Sequence, residues 1–207
     1  MKSFHSSEED QWIAGARRGN ADAFASLMQL HEKQIYGLCL RLCGNPEDAK
    51  EAAQEAFLSA WQGLPNFRGD ASFTTWLYRL ASNACVDLLR REKRGRNAAG
   101  PSLDDTLANF VLPDPGPGPQ EHAERRELRQ AVEDGLAALS PEHREILILR
   151  EIHQLSYDEI SEVLELDEGT VKSRINRARK QLRTFLIRGG NFFAPSPSKQ
   201  TEKEGCK

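Results

Sequence analysis

The sequence is poor in the features that several classes of protein need. Only four of its 207 residues are cysteines, and no two of them form a CxxC pair. That number and spacing do not suit a disulfide scaffold or a cysteine-rich zinc site. Aromatic residues make up 7% of the chain, and no apolar run approaches the length of a transmembrane helix. The N-terminal segment MKSFHSSEED lacks the apolar core of a signal peptide, so we expect a cytoplasmic protein that inserts no segment into a membrane.

The sequence also lacks a recognisable catalytic motif. The five histidines are scattered, and no GxxxxGK[ST], HExxH or GxSxG pattern occurs. His143 and His153 are predicted to lie at the surface. Cys39 and Cys43 lie one helical turn apart, which would suit a metal or a redox pair, but small buried side chains on a packed helix are the favoured interpretation. We therefore expect no enzyme, no metal and no cofactor.

Helical periodicity dominates the first half of the chain. Apolar residues recur at intervals of three and four between Asp22 and Cys43, which predicts an amphipathic helix that ends at Gly44. Asn45 and Pro46 are typical of a helix start, and a third helix should begin near residues 72–74 and run into the basic segment RREKRGR. Residues 22–94 are thus predicted to form a compact helical domain that follows an N-terminal segment, 1–21.

A break and a second helical region follow. Residues 95–120 contain alternating proline and glycine, which cannot sustain a helix, and this predicts a flexible linker. Residues 121–188 return to helical periodicity, with Ser140, Ser156 and Thr170 as expected helix caps; Ser156 and Glu159 form a capping-box pattern. Residues 189–207 have the composition of a disordered tail. The predicted fold class is all-α, with two small helical domains joined by the linker.

The segment TVKSRINRARKQLR carries six basic residues and no acidic one, in a chain whose net charge is −3. It follows a short capped helix and a turn that contains Gly169, which is the order of a helix-turn-helix motif. A solvated basic face is the alternative, but such faces usually mix charges of both signs. DNA contact is therefore favoured, and the candidate residues are Thr170, Lys172, Ser173, Arg174, Asn176, Arg177, Arg179 and Lys180.

Two further segments leave alternatives open. In LPNFRGDASFTTWLYRLASN, aromatic residues alternate with arginines around Gly69, a composition that suits single-stranded nucleic acid, although helical periodicity favours core positions for Phe73 and Trp76. The outward face of the second predicted helix carries Asp48, Glu51, Gln54 and Glu55. The pattern alone favours a solvated acidic face there over a docking surface for a basic partner.

The order of these segments resembles a known family. The block DAKEAAQEAFLSAWQGLPNFRGDASFTTWLYRLASNACVDLLRREKR, followed across the linker by LAALSPEHREILILREIHQLSYDEISEVLELDEGTVKSRINRARKQLR, is similar to the extracytoplasmic-function group of bacterial RNA polymerase sigma factors. The resemblance covers about residues 22–186. It implies a sigma-2-like domain at 22–94 and a sigma-4-like helix-turn-helix domain at 121–188.

The resemblance implies a role for each segment. The sigma-4-like domain would read the minus-35 promoter element with the helix named above. The second predicted helix, with its four acidic and amide residues, would dock on the beta-prime clamp helices of core RNA polymerase. The sigma-2-like domain would recognise and melt the minus-10 element through Phe67, Arg68, Gly69, Asp70, Ser72, Phe73, Trp76, Arg79, Asn83, Arg90 and Arg91.

The implied partners are core RNA polymerase through its beta-prime and beta subunits, promoter DNA, and an anti-sigma factor. A polymerase-independent helix-turn-helix regulator is the alternative function, and a regulatory adaptor with protein contacts alone is a third. The NFRGDASFTTWLYR segment argues against the regulator, because a protein that binds only duplex DNA has no use for it. The uninterrupted basic helix argues against the adaptor.

Overall fold

The regular structure in the described residues is helical. The computed structural model describes residues 7–99 and 119–189. Its α-helices are α1 Ser7–Arg17, α2 Ala21–Cys43, α3 Pro46–Gly63, α4 Phe73–Ala99, α5 Pro119–Ala137, α6 Pro141–Leu147, α7 Tyr157–Leu164 and α8 Glu168–Gly189, with a 3-10 turn at Leu64–Asn66 and a π-helical turn at Ile148–Ile152. The predicted all-α fold class is confirmed. Most of the predicted linker and nearly all of the predicted tail lie outside the described residues.

Local capping explains where the helices of the N-terminal half begin and end. The Asn45 side chain accepts a hydrogen bond from the backbone N–H of Asp48 at 2.9 Å, and Pro46 occupies the first turn of α3, as predicted. Gly44 ends α2 with a φ of 82°, a left-handed conformation that glycine adopts without strain. Asn20, which we did not predict as a cap, accepts hydrogen bonds from the N–H groups of Asp22 and Ala23.

Helix α1 was missed in the predicted N-terminal segment. It is only eleven residues long and buries Ala16, with Trp12 and Ile13 packed against the core. Three apolar residues at helical spacing are a weak periodic signal, because the same spacing also occurs by chance in loops. Helix α1 packs on α2, and the buried His31 ring nitrogen Nε2 lies 3.1 Å from Glu9 of α1.

Helices α2, α3 and α4 enclose the core of the N-terminal half. Helix α3 presents a row of buried alanines, so its backbone approaches its neighbours closely. Cys39 and Cys85 are buried and Cys43 is half-buried, which fits the packing interpretation of the first pair. Hydrogen bonds with the Cys39 and Cys43 thiols, together with burial, raise the pKa of Cys85. A thiol held protonated in this way is a packing group and a poor nucleophile.

The C-terminal half confirms one predicted cap and corrects two. Ser156 and Glu159 form the predicted capping box, with distances of 3.2 Å and 2.8 Å. Ser140 makes no side-chain capping bond; Pro141 starts α6 with its own fixed φ. Thr170 is also not a cap. Asp167 caps α8, because its carboxylate lies one position before the helix and accepts from the Thr170 N–H at 2.8 Å and from the Thr170 hydroxyl at 2.5 Å.

The two halves contact each other through α2 and α4 on one side and α5, α6 and α7 on the other. The Arg144 guanidinium donates to the Leu136 carbonyl at 3.0 Å and to the Leu42 carbonyl at 3.4 Å, so it joins the ends of helices from both halves. Burial lowers the pKa of Arg144, yet it remains a cation at neutral pH. Arg41 lies 3.4 Å from Glu133 across the same boundary.

We predict that Ser156→Ala lowers the free energy of unfolding by about 1 kcal/mol, because the backbone N–H of Glu159 loses the hydroxyl that accepts its hydrogen bond. The matched control is Ser140→Ala, which precedes a helix in the same half but removes no capping bond. Urea denaturation followed by circular dichroism measures both changes. Equal losses from the two variants would contradict the role given to the capping box.

Candidate nucleic-acid interface

The recognition helix predicted from the sequence is α8, and its two faces differ sharply in chemistry. Val171, Ile175 and Ala178 are buried against the rest of the C-terminal half. The opposite face is exposed and carries Ser173, Asn176, Arg177 and Lys180. The helical period therefore places hydrogen-bonding and cationic groups on the same exposed face. Duplex DNA is bound by this combination, because polar groups contact base edges and cations contact phosphates.

Three of the predicted DNA-binding cations on α8 are paired within the chain. Lys172 lies 2.5 Å from Glu168, Arg179 lies 2.6 Å from Glu151, and Arg174 lies 3.6 Å from Glu142. Hydrogen bonding and the charge of Glu168 raise the pKa of Lys172. Ion pairs at or near the protein surface are weak, so a phosphate can replace the glutamate at little cost.

The start of α8 is fixed by its own hydrogen bonds. The Asp167 carboxylate accepts hydrogen bonds from the Thr170 hydroxyl and from the Thr170 backbone N–H. These hydrogen bonds lower the pKa of Asp167. The Ser173 hydroxyl donates to the Thr170 carbonyl at 3.1 Å. Thr170 is therefore a structural residue in this conformation, whereas Ser173 keeps its acceptor lone pairs toward solvent.

A cluster of aromatic rings supports the predicted minus-10 loop. Phe67 lies 4.9 Å from Trp76 and 6.0 Å from Phe73, measured between ring centroids. Phe73 is buried at 2% exposure, which agrees with the core interpretation of that residue. Phe67 and Trp76 are half-buried, so each keeps part of a ring surface open. The loop thus has one anchoring ring and two rings that can meet a ligand.

A cavity of about 350 Å³ lies beside these rings. It is lined by Phe67, Arg68, Gly69, Asp70, Trp76 and Arg79, together with neighbouring residues of both halves. Gly69 turns the loop with a φ of 80°, a conformation that favours glycine. The Ser72 hydroxyl accepts from the Thr75 N–H at 3.0 Å and so caps α4 at the edge of the cavity. An aromatic wall with adjacent cationic and polar groups suits a planar, unstacked base.

Helix α4 continues this surface along one face. Trp76, Arg79, Asn83 and Arg90 recur at intervals of three, four and seven, which places them on the same side of the helix. Arg90 lies 3.6 Å from Asp87 of its own helix. Arg91 lies off this face, 3.4 Å from Glu51 of α3, so it borders the predicted docking surface as well.

The predicted polymerase-docking residues lie on α3. Glu51, Gln54 and Glu55 are exposed, whereas Asp48 is half-buried and accepts a hydrogen bond from the Asn45 amide, within the α3 cap. Beside them an apolar groove of about 870 Å³ runs between α2 and α3, and its lining includes Met28, Phe57, Leu58 and Trp61. Met28 and Leu58 are 37% and 55% exposed.

This groove was not predicted from the sequence. Leu58, an exposed residue outside the buried stripe of α3, was a weak signal, because single exposed apolar side chains are common and only a contiguous patch marks an interaction surface. Over residues 7–99 and 119–189, no cluster of metal-ligating side chains occurs and no helix is long and apolar enough to cross a bilayer.

Helix α4 also contacts the other half of the chain on a neighbouring face. The Tyr78 hydroxyl lies 2.9 Å from His153 Nδ1, and their rings are 4.8 Å apart. His153 was predicted to be a surface residue, which is wrong, because the second half of the chain packs over α4 at this point. Burial, with a smaller contribution from Glu159, raises the pKa of Tyr78 to about 12. Burial and the nearby Arg41 lower the pKa of His153 to about 4.

Two family models match the chain. Residues 27–95 match the model described as sigma-70 region 2, and residues 129–182 match the model described as sigma-70, region 4. The first match contains the aromatic loop and most of α4, and the second contains α6, α7 and most of α8. Both candidate surfaces therefore fall within matched segments.

Similar proteins match most of the length of this chain. The ECF RNA polymerase sigma factor SigW of Bacillus subtilis is 34% identical over 178 residues, which cover 84% of this chain and 94% of that protein. The RNA polymerase sigma-H factor of Pseudomonas aeruginosa is 36% identical over 179 residues, covering 84% and 92%. The solved structure of CnrH in complex with the cytosolic domain of CnrY matches with a TM-score of 0.64 and 27% identity, covering 88% of this chain and 99% of that one.

We predict that the chain becomes less stable as the pH is lowered, because of His153. Its pKa is about 4 in the folded chain against an ordinary value of 6.5, so the unfolded state binds more protons between those values. Unfolding therefore becomes easier as the pH falls through this window, by at most about 1.4 kcal/mol per pH unit for one proton.

His153→Gln should flatten this dependence, measured as the free energy of unfolding at several pH values between 6.5 and 4. The control is His143→Gln, because His143 bonds Gln181 within the C-terminal half and does not touch the boundary between the halves. Identical pH slopes in the wild-type chain and in His153→Gln would contradict the assignment.

Proposed function

Because the chain belongs to the extracytoplasmic-function (ECF) group of RNA polymerase sigma factors, we propose that it binds core RNA polymerase and directs initiation at specific promoters. In this role it is a specificity subunit with no catalytic step of its own. It would act in the cytoplasm, where transcription takes place in bacteria.

The observation that carries this proposal is the presence of two chemically different candidate surfaces on one chain. Helix α8 offers an exposed basic and polar face suited to the major groove of a duplex. The cavity beside Phe67 and Trp76 is instead suited to an unpaired base. A protein that must recognise a duplex and open another part of it needs both surfaces, whereas a duplex-binding regulator needs only the first.

For the minus-35 element, we propose that α8 lies in the major groove. Arg177, Asn176 and Ser173 occupy the outward face near its N-terminal end, from which base edges are reached. Lys180 lies further along the same face and would contact phosphate. Lys172, Arg174 and Arg179 would exchange their glutamate partners for phosphates.

For the minus-10 element, we propose that one base of the non-paired strand enters the cavity and stacks on Phe67 and Trp76. Extruding a base costs a few kcal/mol, and stacking on an aromatic ring recovers about 1 to 3 kcal/mol per base. Arg68 and Asp70 at the rim would bond the base edges. Arg79, Asn83 and Arg90 would follow the strand along α4, with Arg91 at the side.

For core polymerase, we propose that the docking surface combines the polar face of α3 with the apolar groove beside it. Glu51, Gln54 and Glu55 would meet basic side chains of the beta-prime clamp helices, and Met28 and Leu58 would receive apolar ones. Such a mixture of a buried apolar centre and a charged rim is usual in protein interfaces. We propose the beta subunit of core polymerase as a further partner.

We also propose an anti-sigma factor as a regulatory partner. Support comes from CnrH, which was solved in complex with the cytosolic domain of a second protein. The exposed apolar groove between α2 and α3 is a surface that such a partner could cover in competition with polymerase.

The proposed function predicts promoter-dependent transcription when the purified chain is added to core RNA polymerase and a pool of genomic fragments. Phe67→Ala and Asn83→Ala should each reduce opening of the minus-10 region, measured by permanganate reactivity of unpaired thymines, and leave core binding unchanged. Absence of any selective transcript, with salt-sensitive duplex binding by the chain alone, would instead support a polymerase-independent regulator. Equal loss of core binding in both variants would show that these residues do not act on DNA.

We predict that Arg177→Ala weakens recognition of the minus-35 element by about 1 to 3 kcal/mol if its guanidinium reads a base. The measurement is holoenzyme affinity for matched promoters with and without a substituted minus-35 base. The control is Arg188→Ala, an exposed arginine in the last turn of the same helix. A loss that is the same on both promoters would assign Arg177 to phosphate contact.

A further inference from the structure

Helices α1 and α2 share a buried polar pair to which the proposed function gives no role. Glu9 of α1 and His31 of α2 are both buried, with side chains that are 11% and 6% exposed. Glu9 Oε1 lies 3.1 Å from His31 Nε2. A carboxylate only accepts hydrogen bonds, so the imidazole donates through Nε2. Because a buried polar group is costly without a partner, this bond fixes both side chains in place.

The His31 ring lies beside the aromatic cluster that forms the wall of the candidate base cavity. Its centroid is 5.5 Å from that of Phe73, the ring that anchors the cluster. Phe73 in turn lies 5.8 Å from Trp76 and 6.0 Å from Phe67, the two rings that line the cavity. Closely packed rings transmit a change of tilt to their neighbours, so the orientation of His31 affects both lining rings through Phe73.

Helix α1 also contacts the backbone that leads into the cavity. It packs on the 3-10 turn Leu64–Asn66, which directly precedes Phe67, and the Leu64 side chain is buried. Gly63, at the end of α3, faces the edge of the Trp76 ring, and a Cβ at this position would lie 3.0 Å from Trp76 Cζ2. The lining rings therefore have little room to move, and α1 supports them both through this turn and through the Glu9–His31 bond.

The polar pair adds something that the apolar contacts of α1 do not provide. Trp12 and Ile13 already pack α1 against the core. Burying a carboxylate and an imidazole beside them costs desolvation, which a pair of apolar side chains would avoid. A hydrogen bond is directional, whereas an apolar contact is not. Here the bond to Glu9 sets the plane of the His31 ring, which is the ring that touches Phe73.

We propose that His31 is a positioning residue for the base cavity and that Glu9 holds its ring in the orientation that supports Phe73. Neither Glu9 nor His31 lines the cavity, so both act through the aromatic cluster. Helix α1 is thereby part of the minus-10 surface, although it precedes residue 27, where the match to sigma-70 region 2 begins. The inference rests on the proposed function in naming an unstacked base as the ligand.

The first test compares three substitutions in α1 of the full chain, each combined with core RNA polymerase. Glu9→Ala removes the acceptor, Glu9→Gln keeps an oxygen that can accept from His31, and Glu8→Ala is the matched control, an exposed glutamate of the same helix. We expect Glu9→Ala to reduce opening of the minus-10 region about fivefold, because stacking on displaced rings is partly lost. The other two variants should stay within about twofold of the wild-type chain. Permanganate reactivity of unpaired thymines measures the opening, and core binding should be equal throughout.

A double-mutant cycle tests whether Glu9 and His31 act together. His31→Phe keeps a ring against Phe73 and removes the donor to Glu9. In that background, Glu9→Ala should cause less than about twofold further loss of opening, because the bond it would break is already absent. A further loss as large as in the wild-type background would show that Glu9 acts independently of His31, which would overturn the proposal.

Fluorine NMR gives a measurement that needs neither DNA nor polymerase. With fluorotryptophan incorporated in the full chain, the Trp76 resonance is assigned by its absence in Trp76→Phe. This resonance should shift in Glu9→Ala and coincide with that of the wild-type chain in Glu9→Gln and Glu8→Ala. An unmoved Trp76 resonance in Glu9→Ala would overturn the proposal, as would a Glu9→Gln chain that opens the promoter no better than Glu9→Ala.

A second resonance separates positioning from general packing. Trp61 packs on Phe24 in the groove between α2 and α3, and its signal should be the same in every variant. Movement of both signals in Glu9→Ala, or loss of core binding together with opening, would assign the pair to packing of the whole N-terminal half and overturn the proposal. If the wild-type chain directs no transcription, the proposed function fails, while the Trp76 and Trp61 signals still support or overturn the link from Glu9 to the cavity.

Discussion

The structure depends most on the packing of helix α4, because each face of this helix contacts a different part of the molecule. Leu77, Ala81 and Cys85 are buried in the core of the N-terminal half. Tyr78 is covered by the C-terminal half, and Arg79 and Asn83 point toward the candidate minus-10 surface. Since one rigid helix carries all three sets, their relative positions are fixed by the 3.6-residue period alone. The core, the cavity and the contact with α7 therefore cannot be altered independently.

Much of the fold could be predicted because its signals are local. Asn45 with Pro46, Gly44, and Ser156 with Glu159 each act within a few residues, so their sequence pattern carries the geometry. The errors at Ser140 and Thr170 have the same origin. Several polar residues stand near each helix start. Ser140 precedes α6 but its hydroxyl makes no capping hydrogen bond, and Asp167 caps α8 in place of Thr170, a choice that residue type alone does not determine.

The parts that could not be predicted depend on residues distant in sequence. Tyr78 and His153 are paired across 75 positions, and nothing in either segment marks the other. Periodicity placed Phe73 in the core correctly, but the half-exposed position of Phe67 depends on the turn at Gly69 and on the ring of Trp76. The candidate surfaces could be predicted from the sequence mainly because two motif blocks occur in a fixed order. The groove at Leu58 and the Glu9–His31 pair required the packed structure.

The charge pattern acquires a meaning once the ion pairs are considered together. Three of the basic residues of α8 are paired with Glu142, Glu151 and Glu168, and Arg79 of the candidate minus-10 surface faces Glu165. Affinity for DNA of any sequence scales with the number of phosphates that free cations neutralise. Because each pair is weak and exchangeable, each lowers this general affinity only slightly, and every group needed at a promoter is retained. The acidic residues form ion pairs with cations of the basic helix α8, and these cations stay available to DNA because the pairs exchange. A chain of net negative charge can therefore carry a strongly basic segment.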